Sequence, residues 1–186
     1  MTPDNYFNLL ALPISFEIDK NKLNDNYHEI QKSIHPDNYA NSSDAERRLS
    51  VQKTAQVNDA LATLKDPLKR AIYLLSLHEI ELSAQDNKMD PMFLMEQMEL
   101  RENLSQIEKH DDPLSALDEI LSDVQSKIKN LVKNLAELFQ QILSDDLSLD
   151  RENLLEQVKS QVLKMQFLNR LQEECLNREE DLVNQY

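Results

Sequence analysis

"QKSIHPDNYA", residues Gln31 to Ala40, is the stretch on which the reading of this chain turns. Upstream of it Leu23, Tyr27, Ile30 and Ile34 recur at steps of 4, 3 and 4, which predicts a helix from about Asp19 to Ile34 with one buried stripe. Pro36 lacks a backbone donor and disfavours α geometry at His35, so that helix must stop about there. The result is a stiff corner from which an imidazole and a carboxylate project two residues apart. From these three residues alone, the corner could be an ordinary loop with an Asx turn at Asp37. It could also be a catalytic dyad of His35 and Asp37, although no nucleophile, oxyanion motif or metal set completes one.

Downstream of the corner the chain starts helices again and again. The chain contains no glycine, so it has no Asn-Gly or Asp-Gly hairpin turns, and long apolar/polar alternation is missing; strands are not expected. Thr2-Pro3, Asp66-Pro67, Asp90-Pro91 and Asp112-Pro113 each place proline just after a capping residue, and Ser43 with Glu46 spells a capping box. These marks predict an all-α chain with a short helix through Tyr6 to Leu10 and longer ones over Asp19–Ile34, Ser43–Leu64 and Pro67–His78. Three more follow at Pro91–His110, Pro113–Leu143 and Asp150–Leu182. Glu81 to Met89 lacks periodicity and reads as a linker. Leu117, Leu121, Val124, Ile128, Leu131, Leu135, Leu138 and Ile142 alternate steps of 4 and 3, the seam of a three-helix hairpin core.

Composition narrows the function. The 186 residues are 40% hydrophobic and 29% charged, enough for a sizeable core in one or two domains. No run of about 18 apolar residues and no secretory leader is visible, so a cytoplasmic protein is the default. A single cysteine, Cys175, permits no internal disulfide, four scattered histidines make a structural zinc site an unpromising idea, and no cofactor is expected. Cys175, beside Glu173 and Glu174, is expected to be an inert buried thiol. The net charge of −14 argues against nucleic acid, whose phosphates need a basic surface. Residues 1–80 carry 11 acidic and 9 basic groups, a net of −2, against 23 and 11, a net of −12, from residue 81 onward. The chain changes character near residue 80.

The order short helix, helix, His-Pro-Asp, helix, with "NYFNLLAL", "LNDNYHEIQKSIHPD" and "KDPLKRAIYLL" in their places, resembles the J domain of Hsp70 co-chaperones over about the first 75 residues. The resemblance implies that His35, Pro36 and Asp37, with Lys32 and His28 on the preceding helix, dock on the ATPase side of an Hsp70 and trigger ATP hydrolysis. Two features depart from that pattern. Lys20, Lys22 and Lys32 are opposed by Asp19, Asp25 and Glu29 where the family is strongly basic, and Asn38 stands where lysine is common; a dedicated Hsp70 or modest affinity follows, since electrostatic steering is weak.

The second half has neither a Gly/Phe-rich stretch nor paired-cysteine repeats. At about 100° per residue, Phe93, Leu100, Leu104 and Ile107 share one line, whereas Leu94, Met98, Glu102 and Met95 point away from it. On the last helix Leu155, Val158, Val162 and Met165 form the expected buried stripe, while Leu163, Phe167 and Leu171 lie roughly opposite Val158. One such patch could pack against the first half; clustered methionines beside carboxylates also suit an adaptable partner surface. "PLKRAIYLLSL", "FLMEQMELRE" and "LKMQFLNRLQEE" together resemble the HscB family of iron-sulfur cluster assembly along nearly the whole chain.

That resemblance implies an L-shaped molecule: a J domain over 1–78, a linker over 79–90 and a C-terminal antiparallel three-helix domain over 91–186. It implies that Leu94, Met95, Met98, Glu99, Glu102 and Phe167 hold the cluster scaffold IscU, and that the J domain recruits the specialised Hsp70 HscA. No membrane and no nucleic acid enter this reading, and the chain is not expected to be an enzyme. His78-Glu79-Ile80 replaces a glycine-containing turn of the family, and the tetracysteine segment of some eukaryotic members is missing, as in a bacterial-type protein without metal. The alternatives from the sequence are a general J co-chaperone delivering unfolded clients, a purely structural helical protein, and a hydrolase using His35 and Asp37.

Overall fold

The computed structural model describes residues 5–39, 43–80, 82, 90–144 and 150–184. The Thr2-Pro3 cap lies outside the described residues, as does the Glu81–Met89 linker apart from Leu82.

 Within the described residues every element is a helix or a single 3-10 turn, and the chain divides into two compact units, Met1–Glu79 and Ile80–Tyr186.

The first unit is built from four helices, α1 (Tyr6–Leu9), α2 (Lys20–Ile34), α3 (Asp44–Lys65) and α4 (Pro67–Leu77). Their starts follow from side chains that accept orphan amide protons of the first turn. Asp19 accepts from Asn21 and Lys22, and Asp66 accepts from Lys69 just ahead of Pro67. At α3 the capping box is complete: the Ser43 amide donates to Glu46 Oε2 at 2.9 Å and the Glu46 amide to Ser43 Oγ at 3.4 Å.

Helix ends are harder for a chain without glycine. After α1, Ala11 takes the left-handed conformation at φ 50°, and the amides of Ala11 and Leu12 fold back onto the carbonyls of Asn8 and Phe7. That is a Schellman closure with a methyl group where glycine is usual. After α4, Glu79 does the same at φ 61°. Glu79, in the middle of His78-Glu79-Ile80, therefore holds a conformation that its Cβ strains.

α2 and α3 pair as a hairpin. Leu23 is buried, while Tyr27, Ile30 and Ile34 of the expected stripe are only half-buried. Polar contacts finish the seam: Tyr27 Oη and Gln31 Nε2 both reach Asn58 Oδ1 on α3. Asn26 Nδ2 donates to the Leu10 carbonyl, tying α2 to the end of α1. α4 is fixed by Arg70, a buried guanidinium that donates to the Leu64 carbonyl at 2.6 Å and lies 4.8 Å over the Phe16 ring. Burial pulls its pKa below the ordinary arginine range, against the opposing charge of Asp66.

The second unit holds α5 (Pro91–Ser105), α6 (Pro113–Ile142) and α7 (Arg151–Val183), opened by the caps Asp90, Asp112 and Asp150. α5 ends at Ser105 rather than His110, and Ile107 is buried from a separate 3-10 turn over Ile107–Lys109. α6 and α7 run antiparallel. α5 runs beside the C-terminal part of α7, as the pairs Phe93–Phe167, Arg101–Glu174 and Glu108–Arg178 show. The core of this bundle joins Phe93, Leu104, Ile107, Leu117, Val124, Leu168, Leu171, Cys175 and Leu182.

This packing corrects the reading of α7. Leu171 is fully buried, and Leu163 and Phe167 are half-buried, so they do not form an outward face. The reason is geometric. Taking Val158 as zero, Val162 and Met165 stay within about 40°, but Leu168, Cys175, Leu182 and Leu171 swing to between about 280° and 220°. The stripe moves round the helix where α5 joins, because from there on α7 packs against two helices. On α6 the buried set is Leu117, Val124, Leu135, Phe139 and Ile142, with Leu121, Ile128, Leu131 and Leu138 half-buried beside it.

Candidate functional sites: a presented corner and a methionine face

At the corner His35 is the extended C-cap of α2, with φ −56° and ψ 134°, and Pro36–Tyr39 forms one 3-10 turn. The Asn38 amide donates to the His35 carbonyl at 3.0 Å. The His35 side chain is 50% exposed and Asp37 is more exposed still. Nδ1 accepts weakly from the Asp37 amide at 3.3 Å and lies 3.5 Å from Asp37 Oδ2. In the neutral imidazole this leaves the proton on Nε2, available as a donor to another molecule.

His28, Lys32 and His35 fall within about 60° of one another around the α2 axis, so the three form one line that ends at the corner. His28 and Lys32 are exposed, and His28 packs edge-on to Tyr27 with ring centroids 5.3 Å apart. Lys32 contributes its backbone too, since its carbonyl accepts from Asn38 Nδ2 at 2.7 Å.

On α5, Leu94 is 40%, Met95 71% and Met98 72% exposed, and Glu99 and Glu102 are exposed with them. Met92, 78% exposed in the first turn, extends the face and was not singled out from the sequence. Its spacing of three from Met95 was the available signal. Phe167 sits differently. Its ring meets Phe93 edge-on at 6.2 Å, the Arg101 guanidinium lies 4.8 Å over it, and Arg101 is held by Glu174 at 2.9 Å. Phe93 and Arg101 bracket the α5 flank next to Leu94, so Phe167 lies at the margin of the methionine face and partly beneath it.

Two cross-helix contacts fix the turn of α5 on the bundle. Besides Arg101–Glu174, Lys127 of α6 meets Glu96 at 2.8 Å and Asp123 at 3.1 Å. The hydrogen bond that Lys127 donates to Glu96 raises its pKa above the ordinary lysine value, burial opposing it. Beneath the face, Gln97 is fully buried and neither amide atom has a partner among the described residues. Cys175 lies in the core, where burial first and Glu174 second push its thiol pKa up, away from the reactive thiolate. Among the described residues no three His, Cys, Asp or Glu side chains group to hold a metal, and no helix is long and apolar enough to cross a membrane.

A helical hairpin that turns through His35-Pro36-Asp37 with the histidine and aspartate exposed, followed in the same chain by a three-helix bundle, defines a J-domain co-chaperone. Residues 89–175 match the model of the HSCB C-terminal oligomerisation domain. The chain is 40% identical over 180 residues to the co-chaperone protein HscB homolog of Shewanella halifaxensis, covering 96% of this chain and 98% of that one. The structure of chaperone HscB from Vibrio cholerae superposes with a TM-score of 0.82 at 40% identity, over 96% of this chain and 99% of the other. Human co-chaperone protein HscB gives a TM-score of 0.83 at 32% identity, over 96% and 84%. The chain belongs to the HscB co-chaperone family.

Proposed function

We propose that this chain binds an iron-sulfur cluster scaffold of the IscU type through its C-terminal bundle and delivers it to a specialised Hsp70 of the HscA type. It stimulates that partner's ATP hydrolysis and so promotes cluster transfer, while itself carrying out no chemistry, and it works in the bacterial cytoplasm. Residues 1–78 serve as the J domain, with His35, Pro36, Asp37, Lys32 and His28 facing the Hsp70. Residues 91–186, reached through 79–90, hold the scaffold with Leu94, Met95, Met98, Glu99, Glu102 and Phe167.

The observation that carries this reading is the half-exposed His35 imidazole at a turn braced by its own backbone, in a chain that also exposes Leu94, Met95 and Met98 on one helix. Unbranched thioethers repack against an imperfectly matched surface, and the neighbouring carboxylates favour a partner patch that carries lysine or arginine. Two weak contacts on one chain then act together, because each raises the effective concentration of the other partner. The test is His35→Gln. It abolishes stimulation of the Hsp70 ATPase and leaves scaffold binding and helicity intact; a variant that stimulates as well as the parent refutes the trigger role.

A further inference from the structure

The last four carbonyls of a helix lack donors within it. This chain closes α1 and α4 by turning left-handed at Ala11 and Glu79. At α2 that solution is blocked, since the residue before a proline is held extended and Pro36 offers no N–H. Two side chains supply the donors instead. Asn38 Nδ2 donates to the Lys32 carbonyl at 2.7 Å, and Ser50 Oγ, from the second turn of α3, donates to the Ile34 carbonyl at 2.6 Å. Ser50 is 3% exposed between two exposed neighbours, Leu49 and Val51, so its hydroxyl is turned inward onto the end of α2. The Asn38 amide also donates to the His35 carbonyl. The backbone is thereby tied on both sides of His35.

We propose that Ser50 and Asn38 are positioning residues: they fix the peptide units flanking His35 and so preset the direction in which its imidazole meets the ATP-hydrolysing partner. This rests on the reading of the corner as a trigger for an Hsp70. The hydroxyl matters because removing it leaves a part-buried carbonyl without its donor, and the corner then samples orientations in which His35 cannot engage. Apparent affinity falls by the fraction of time the corner is competent.

The full chain is assayed as Ser50→Ala, Ser50→Thr, Asn38→Ala and His35→Gln, titrated against the Hsp70 while ATP turnover is followed. With a corner competent about a tenth to a third of the time, Ser50→Ala and Asn38→Ala each raise the half-maximal concentration about three- to tenfold and leave the plateau unchanged. Ser50→Thr keeps the donor and restores the parent value, whereas His35→Gln removes the plateau. Helicity at the assay temperature and scaffold binding stay at the parent level, which separates positioning from loss of fold. Hydrogen exchange at the Asn38 amide, measured without any partner, accelerates in Ser50→Ala. A parent-like half-maximal concentration for Ser50→Ala, with His35→Gln inactive, overturns the positioning role alone. Full stimulation by His35→Gln overturns the trigger reading and the positioning role together.

Discussion

Ala11 and Glu79 occupy a conformation in which a Cβ crowds the following carbonyl, at a cost of roughly 1–2 kcal/mol each. Glycine would remove that crowding but gives back part of the gain through unfolded-state entropy. Glu79→Gly and Ala11→Gly are therefore each expected to raise stability by about 0.5–1 kcal/mol in denaturant melts, set by the difference of those two effects; a loss would show that the side chains contribute more than the turn. Phe167 and Met98 separate at this same scale. Met98→Ala removes exposed surface, so it should weaken scaffold binding with little change in melting temperature. Phe167→Ala, which unseats a ring wedged between Phe93 and Arg101, should lower both binding and melting temperature. A Met98→Ala variant that melts early would place Met98 in the core. Asn38, where the family commonly has lysine, reads from sequence as a lost charge; its amide on the Lys32 carbonyl shows a gained cap.

Among the elements, α3 depends on its first turn. The Ser43 side chain, and after it the Ser43 amide, hold the Glu46 carboxyl below the ordinary carboxylate range. A depressed folded pKa means that Glu46 contributes stability above its ordinary range and loses it as pH falls through its lowered value. Glu46→Gln should accordingly lower the melting temperature at neutral pH and converge on the parent at acid pH, where Glu46 is protonated, so that the acid limb is flatter; melts across that limb check it, and equal neutral-pH melts would remove the contribution. α5 has a different liability. Gln97 lies in its buried stripe, angularly between Phe93 and Arg101, with both amide atoms unpaired. Desolvating an unpartnered amide costs about 1–3 kcal/mol, so Gln97→Met, similar in shape and apolar, should raise the stability of the second unit by about that order. Unfolding monitored by denaturant checks it, and a fall in stability would mean that the amide finds a partner. The long helices were legible because cap and proline coincide at Asp66, Asp90 and Asp112. The end of α5 was not, because Ile107 keeps the helical apolar spacing while the backbone has already tightened into a 3-10 turn.

For the whole molecule, a bridging role has a concentration signature. If one copy must hold scaffold and Hsp70 together, excess copies bind the two separately, so the extra ATPase stimulation contributed by scaffold should rise and then fall as the co-chaperone is titrated. A monotonic curve would remove the bridge, leaving two independent activities. The sequence by itself determined the all-α class, the starts of the helices at Asp66-Pro67, Asp90-Pro91, Asp112-Pro113 and the Ser43 box, the His-Pro-Asp corner and the outward methionines of α5, because capping chemistry and the 3.6-residue period act within a few residues of one another. Only the tertiary structure decided that Leu171 is core, that Phe167 is wedged between Phe93 and Arg101 at the margin of the methionine face, and that Ser50 completes the end of α2. Those outcomes depend on which helix lies against which, and a helical wheel describes one helix without its neighbours.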